Sequence, residues 1–121
     1  MSERQILIVE DDSSLLEIYS TFLKNDGYTV ETVNEGIQAI EKAQKTTFDL
    51  VILDINLPDI RGDEVAMRLK EINKNIIIIM ITGFPSFQES IDILDLGIYD
   101  ILLKPITADE LLRVTREALI T

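Results

Sequence analysis

Short apolar runs punctuate the chain: Ile6-Leu7-Ile8-Val9, Leu50-Val51-Ile52-Leu53, Ile76 to Ile81, and Ile98 to Leu103 with Tyr99-Asp100 inside it. Runs this short and rich in Ile and Val predict strands, and the lack of a polar face predicts strands covered on both sides. Tyr28-Thr29-Val30-Glu31-Thr32-Val33 alternates apolar with polar instead, as an edge strand does. Between the runs, apolar residues recur at helical spacing: Leu15, Tyr19, Phe22 and Leu23; Ile37, Ile40 and Ala43; Val65, Leu69 and Ile72; Phe87, Ile91 and Leu94; Leu111, Thr115 and Ala118. Ser14 with Glu17 predicts a capping box for the first helix, Gly27 its stop, and Thr107 the N-cap of the last. Strand and helix alternate throughout, which in so short a chain predicts a parallel sheet with right-handed crossovers and helices on both faces. The fold class is α/β, doubly wound. No linker, repeat or low-complexity tract divides residues 1–121, so a single domain is expected.

Composition narrows the chemistry. A chain of 121 residues buries enough surface for one ordinary core. Lys plus Arg number 11 against 22 Asp plus Glu, a net charge of −11, which repels phosphate backbones and anionic lipid. Direct binding to nucleic acid or membrane is therefore not expected. The chain has neither His nor Cys, which excludes disulfides, thiol nucleophiles, sulfur or imidazole zinc sites and catalysis by an imidazole base. Any bound metal must be a hard cation held by oxygen. An apolar share of 46% is too high for disorder, and no apolar stretch approaches the roughly 20 residues of a membrane span. The opening Met1-Ser2-Glu3-Arg4-Gln5 is too polar and short for a signal peptide, so a cytoplasmic protein is expected.

Ligands of open parallel sheets bind at the carboxyl ends of the strands. The residues there are Glu10-Asp11-Asp12 after the first strand, Asp54 after the third, Thr82 after the fourth and Lys104 after the fifth. Glu10, Asp11 and Asp54 bring about −3 to one rim against a single lysine, which raises a carboxyl pKa or demands a cation. Mg²⁺, with Mn²⁺ as a substitute, suits one or two carboxylates plus phosphate oxygens. A carboxylate, a hydroxyl and an ammonium around a metal are the parts for phosphoryl transfer to an aspartate. Asp54 would attack, while the cation, Lys104 and Thr82 hold the phosphoryl oxygens. An ionised carboxylate needs no general base, so the missing histidine is no obstacle; a phosphohistidine donor must belong to another molecule.

The set Ile6-Leu7-Ile8-Val9-Glu10-Asp11-Asp12, Leu50-Val51-Ile52-Leu53-Asp54-Ile55-Asn56-Leu57-Pro58 with Gly62, Met80-Ile81-Thr82-Gly83 and Leu103-Lys104-Pro105 resembles the receiver domain of two-component response regulators. Each motif alone is weak, and together they are specific. The resemblance implies a (βα)5 fold with strand order 2-1-3-4-5, Asp54 as phosphoacceptor, Asp11 on Mg²⁺ directly and Glu10 through water. It further implies that Asn56 offers its carbonyl to the metal, that Thr82 and Lys104 meet the phosphoryl group, and that the Lys104-Pro105 bond is cis. Implied partners are a histidine kinase or histidine phosphotransfer protein and a downstream effector protein or domain, with a homodimer also open. Phosphorylation would bias the fourth and fifth helices and the strand between them.

The chain departs from that pattern in places. An aromatic usually sits three residues before the lysine, where this chain has Ile101; the nearest aromatic, Tyr99, is expected on the other face of the strand as half-buried packing. Ile98 replaces a small residue, and Asp59 a frequent glycine. Phe84 and Asn56 hold positions that tune hydrolysis of the phosphoryl group in the family.

Plainer readings exist for each residue. Asp12 fits the positive end of the first helix better than a metal. Lys104 could be a solvated strand end, Thr82 a turn cap, and Asp54 a loop cap, although burial without a partner is costly. Glu89, Asp92, Asp95 and Asp100, with no Lys or Arg between residues 84 and 103, form a solvated acidic face that would suit only a basic or apolar partner. Arg113 and Arg116 are expected to pair with neighbouring acids. Three other functions are open: a degenerate receiver that docks partners without phosphotransfer, a Mg²⁺-dependent phosphatase of the haloacid-dehalogenase type, and a flavin-binding module. The phosphatase wants a second acid where Asn56 stands, and the acidic first loop would repel flavin phosphate.

Overall fold

The computed structural model describes residues 3–84 and 96–120. Its elements are β1 (Gln5–Val9), α1 (Ser13–Asn25), β2 (Thr29–Val33), α2 (Gly36–Lys45), β3 (Leu50–Asp54), α3 (Gly62–Ile72), β4 (Ile77–Thr82), β5 (Asp100–Leu103) and a C-terminal helix (Ala108–Leu119). The five strands form one parallel sheet in the order β2-β1-β3-β4-β5, as expected. The predicted stripe Phe87, Ile91 and Leu94 and the acids Glu89, Asp92 and Asp95 lie outside the described residues.

The unbroken apolar runs have a direct cause. Successive side chains of a strand point to opposite faces, and here both faces carry a core. Leu7, Val9, Val51, Leu53, Ile78, Met80 and Ile101 pack on one side with Ala39 and Ile40 of α2 and Val65, Ala66 and Leu69 of α3. Ile6, Ile8, Leu50, Ile52, Ile79, Ile81 and Leu102 pack on the other with Tyr19 and Leu23 of α1 and Leu111, Val114 and Ala118 of the C-terminal helix. Burying both faces locks the register, since a one-residue slip would exchange the two cores.

Several local expectations are corrected. Asp12, not Ser14, caps α1: its Oδ1 accepts the amides of Ser14 and Leu15 at 2.9 and 3.1 Å. Both are good cap residues, but Asp also places a negative charge at the positive helix end. Gly27 closes the turn after α1 with φ +97°, a conformation that favours glycine, and Thr107 caps the C-terminal helix as predicted. Ile37 and Ile72 are 42% and 39% exposed, because the buried stripes run through Gly36, Ala39 and Ile40 in α2 and Gly62, Val65, Ala66 and Leu69 in α3. Tyr99 lies just before β5, its amide donating to the Ile78 carbonyl of β4 at 2.8 Å, and its side chain is more open than expected at 47% exposed; Ile101 and Ile98 are buried. Arg116 pairs with Asp26 and Arg113 with Glu117. Among the described residues no helix is long and apolar enough to cross a membrane.

Candidate functional site

The parallel register places the ends of β1, β3, β4 and β5 side by side: Val9 pairs with Leu53, Asp54 with Ile81 and Thr82 with Leu103. Glu10, Asp54, Thr82 and Lys104 therefore share one rim. Glu10 and Thr82 are fully buried and Asp54 is 3% exposed.

Lys104 organises the rim. Its Nζ donates to Asp54 Oδ2 at 3.0 Å and lies 2.7 Å from Glu10 Oε1. The contact with Glu10 is an ion pair, so one ammonium is shared between two carboxylates. Glu10 Oε2 accepts the Asp12 amide at 3.2 Å, and Asp54 Oδ1 accepts the Asn56 amide at 3.0 Å. Thr82 holds the rim together through its main chain, since its carbonyl accepts the Lys104 amide at 2.7 Å. Its Oγ1 accepts the Phe84 amide at 3.1 Å, so the hydroxyl proton points elsewhere. Behind the site α3 starts against the backbone of β3. A side chain on Gly62 would place its Cβ 2.6 Å from Ile55 Cα and 2.7 Å from the Asp54 carbonyl oxygen.

Burial pushes the Glu10 carboxyl up to about 7, the neighbouring Asp54 adds to the rise, and Lys104 opposes it. For Lys104, burial pulls the ammonium down, but Glu10 and Asp54 outweigh it and push the group up to about 12. The lysine is thus a fixed positive charge between two acids.

Carboxylate oxygens of Glu10, Asp11 and Asp54 lie within 4.8 Å of one another, with Asp11 exposed and the other two buried. An all-oxygen set of three carboxylates, two of them buried, with one ammonium to offset them fits a hard divalent cation such as Mg²⁺. The structure brings together Glu10, Asp11, Asp54 and Lys104, sets Thr82 on the same rim and Asn56 beside Asp54, and leaves the Phe84 side chain 55% exposed. The Lys104-Pro105 bond is cis. Ile101 lies below the rim in the core on the α2 and α3 side.

Two features escaped the sequence reading. Tyr19, read there as a core stripe residue, also lines a cavity of about 380 Å³ with Leu15, Gly83, Lys104 and Pro105, and burial raises its phenol pKa. Its position one turn after Leu15, on the helix that follows the acidic loop, was the available signal. Asp59, noted only as a departure, bonds to α2. Another cavity, of about 340 Å³, lies where α2 and α3 end, and none of the described residues that line it is charged.

Comparison with known proteins agrees with this arrangement. The response regulator receiver domain family matches residues 6–116. The transcriptional regulatory protein ZraR of Klebsiella oxytoca is 36% identical over 114 residues, covering 94% of this chain and 26% of the relative, so the chain spans about a quarter of that protein. A CheY-like receiver domain structure from Methanospirillum hungatei superposes with a TM-score of 0.91 at 31% identity, covering 96% of this chain and 93% of that one. The response regulator TrrA of Thermotoga maritima, solved in complex with Mg²⁺ and BeF, gives 0.87 at 29% identity, covering 96% and 99%. Buried acids and a shared lysine on the rim of a 2-1-3-4-5 sheet, matched along nearly the whole chain, mean that it belongs to the response regulator receiver domain family.

Proposed function

We propose that residues 1–121 form one cytoplasmic receiver unit whose Asp54 accepts a phosphoryl group from a phosphohistidine on a separate protein, a histidine kinase or a histidine phosphotransfer protein. The observation that supports this most is Lys104 Nζ at 3.0 Å from Asp54 Oδ2, beside the oxygens of Glu10 and Asp11. Asp54 supplies the attacking oxygen, the bond from phosphorus to imidazole nitrogen breaks, and the nitrogen keeps the electron pair. Lys104 exchanges a carboxylate partner for a phosphoryl oxygen, and the Thr82 hydroxyl, whose oxygen already accepts the Phe84 amide, has its proton free to donate to another. Glu10, Asp11, Asp54 and the Asn56 carbonyl would hold Mg²⁺, which when bound neutralises the charge that otherwise repels the donor phosphate. The Mg²⁺–BeF complex described for TrrA supports that use of the site.

The phosphoryl group adds about −2 and draws Lys104 and Thr82 toward it. We read β5, the C-terminal helix and the stretch between β4 and β5 that lies partly outside the described residues as the surface that changes, and a downstream effector as its reader. Ile101 acts there as packed core rather than as a swinging ring. The test is intact mass after incubation with acetyl phosphate, with and without Mg²⁺, for the wild type and Asp54→Ala. A metal-dependent gain of about 80 Da, absent from the variant, is expected. No gain, together with no binding of beryllofluoride, would leave a docking module without phosphotransfer.

A further inference from the structure

The loop between β3 and α3 follows Asp54 directly, and Asp59 ties it to a neighbouring helix. Asp59 Oδ1 accepts the Gly36 amide and Oδ2 the Ile37 amide, both at 2.8 Å. These are the first two amides of α2, whose own cap residue, Glu35, makes no side-chain cap bond and whose first turn holds no acid. A residue 23 positions later thus supplies both the acceptor and the negative charge that a helix start requires. The seam is tight: a Cβ on Gly36 would lie 2.7 Å from Val65 Cγ2 and 2.8 Å from Ile60 Cγ1. The loop is also pinned by the Ile55 amide on the Ile81 carbonyl at 3.0 Å, by the Asn56 amide on Asp54 Oδ1 and by the Gly62 amide on the Ile55 carbonyl at 2.9 Å.

We propose that Asp59 is a positioning residue for the cation site, fixing the loop that carries Asn56 beside Asp54 by anchoring it to α2. The inference rests on the reading of Glu10, Asp11, Asp54 and Asn56 as the Mg²⁺ site. Mg²⁺ demands near-ideal octahedral geometry, so a loop with the Asp59 tie presents its carbonyl with less reorganisation than one without it. The cap belongs to two elements at once, and its loss frees the loop as well as the helix end.

Mn²⁺ binding by electron paramagnetic resonance, at a temperature where circular dichroism shows every variant folded, separates the roles. Asp59→Ala is compared with Asp26→Ala, which removes an equal charge and an Arg116 ion pair remote from the loop. Loss of an outer support weakens metal binding by about tenfold or more. Asp59→Ala is expected to show that loss, Asp59→Asn a smaller one because one amide acceptor survives, and Asp26→Ala an affinity within about twofold of wild type. Equal effects for Asp59→Ala and Asp26→Ala, or none for either, would overturn the inference and leave Asp59 a helix cap. Asp59→Asn carries the same comparison should Asp59→Ala not fold. A wild type that binds no Mn²⁺, or binds it equally well as Asp11→Ala, would instead overturn the assignment of the metal site.

Discussion

Two threonines with no exposed surface show how much a single hydroxyl partner decides. Thr82 Oγ1 accepts the Phe84 amide and stands at the rim, whereas Thr115 Oγ1, on the buried face of the C-terminal helix, has no hydrogen-bond partner. A buried hydroxyl without a partner carries its desolvation cost uncompensated, so Thr115→Val, which keeps the shape, should raise stability by about 1 kcal/mol. Thermal denaturation followed by circular dichroism would register it as a rise of a few degrees, and a fall would mean that an ordered water satisfies the hydroxyl. The sequence distinguished these residues only by place: Thr82 ends a strand, and Thr115 sits on an apolar helical stripe. That rule identified the rim residues, because charge at the end of a doubly buried strand has no packing reason to be there. It could not show that Lys104 is shared between Glu10 and Asp54, which depends on side-chain reach.

At the scale of elements, strands were legible and helix starts less so. The runs of β1, β3 and β4 are apolar at every position because helices cover both faces, and no partner elsewhere in the chain alters that signal. Caps are different: Asp12 and Ser14 are both plausible from sequence, and the cap of α2 comes from Asp59, which no local window contains. The contact between α1 and the C-terminal helix was equally hidden. Asp26, just past α1, takes two hydrogen bonds from Arg116, the one from Nε at 2.8 Å. The bond from Arg116 holds the Asp26 carboxyl below its ordinary 3.8, against a small opposing effect of burial. A lowered folded-state pKa contributes stability that is present above the unfolded value and lost as pH falls through the folded value. Asp26→Asn should therefore lower the thermal midpoint slightly at pH 7, with the gap to wild type closing as the pH is taken below 3.8 and narrowing in high salt. A gap that persists in acid would assign the effect to packing rather than charge.

At the scale of the whole molecule, the site is a concentration of negative charge in a chain already at −11. Glu10 is the residue that bears it: fully buried, beside Asp54, and with only part of one lysine as counter-ion. Glu10→Gln keeps the size and removes the charge, leaving Lys104 a full partner in Asp54. Exchanging an under-compensated buried charge for a neutral group is often neutral or stabilising, so the metal-free variant should match the wild type or exceed it by about 1–2 kcal/mol at pH 8. Ligand-linked stabilisation grows with the logarithm of ligand concentration over Kd, so under the proposed Mg²⁺ site the wild type should gain thermal midpoint on adding Mg²⁺ and the same change should shrink that gain. Melting curves of both proteins, with and without Mg²⁺, give the two effects in one experiment. Opposite signs would mean that the fold tolerates instability at Glu10 for the sake of the cation; a metal-free variant well below wild type would instead make Glu10 a structural anchor for Lys104, and the acidic rim part of what holds the strands' ends together.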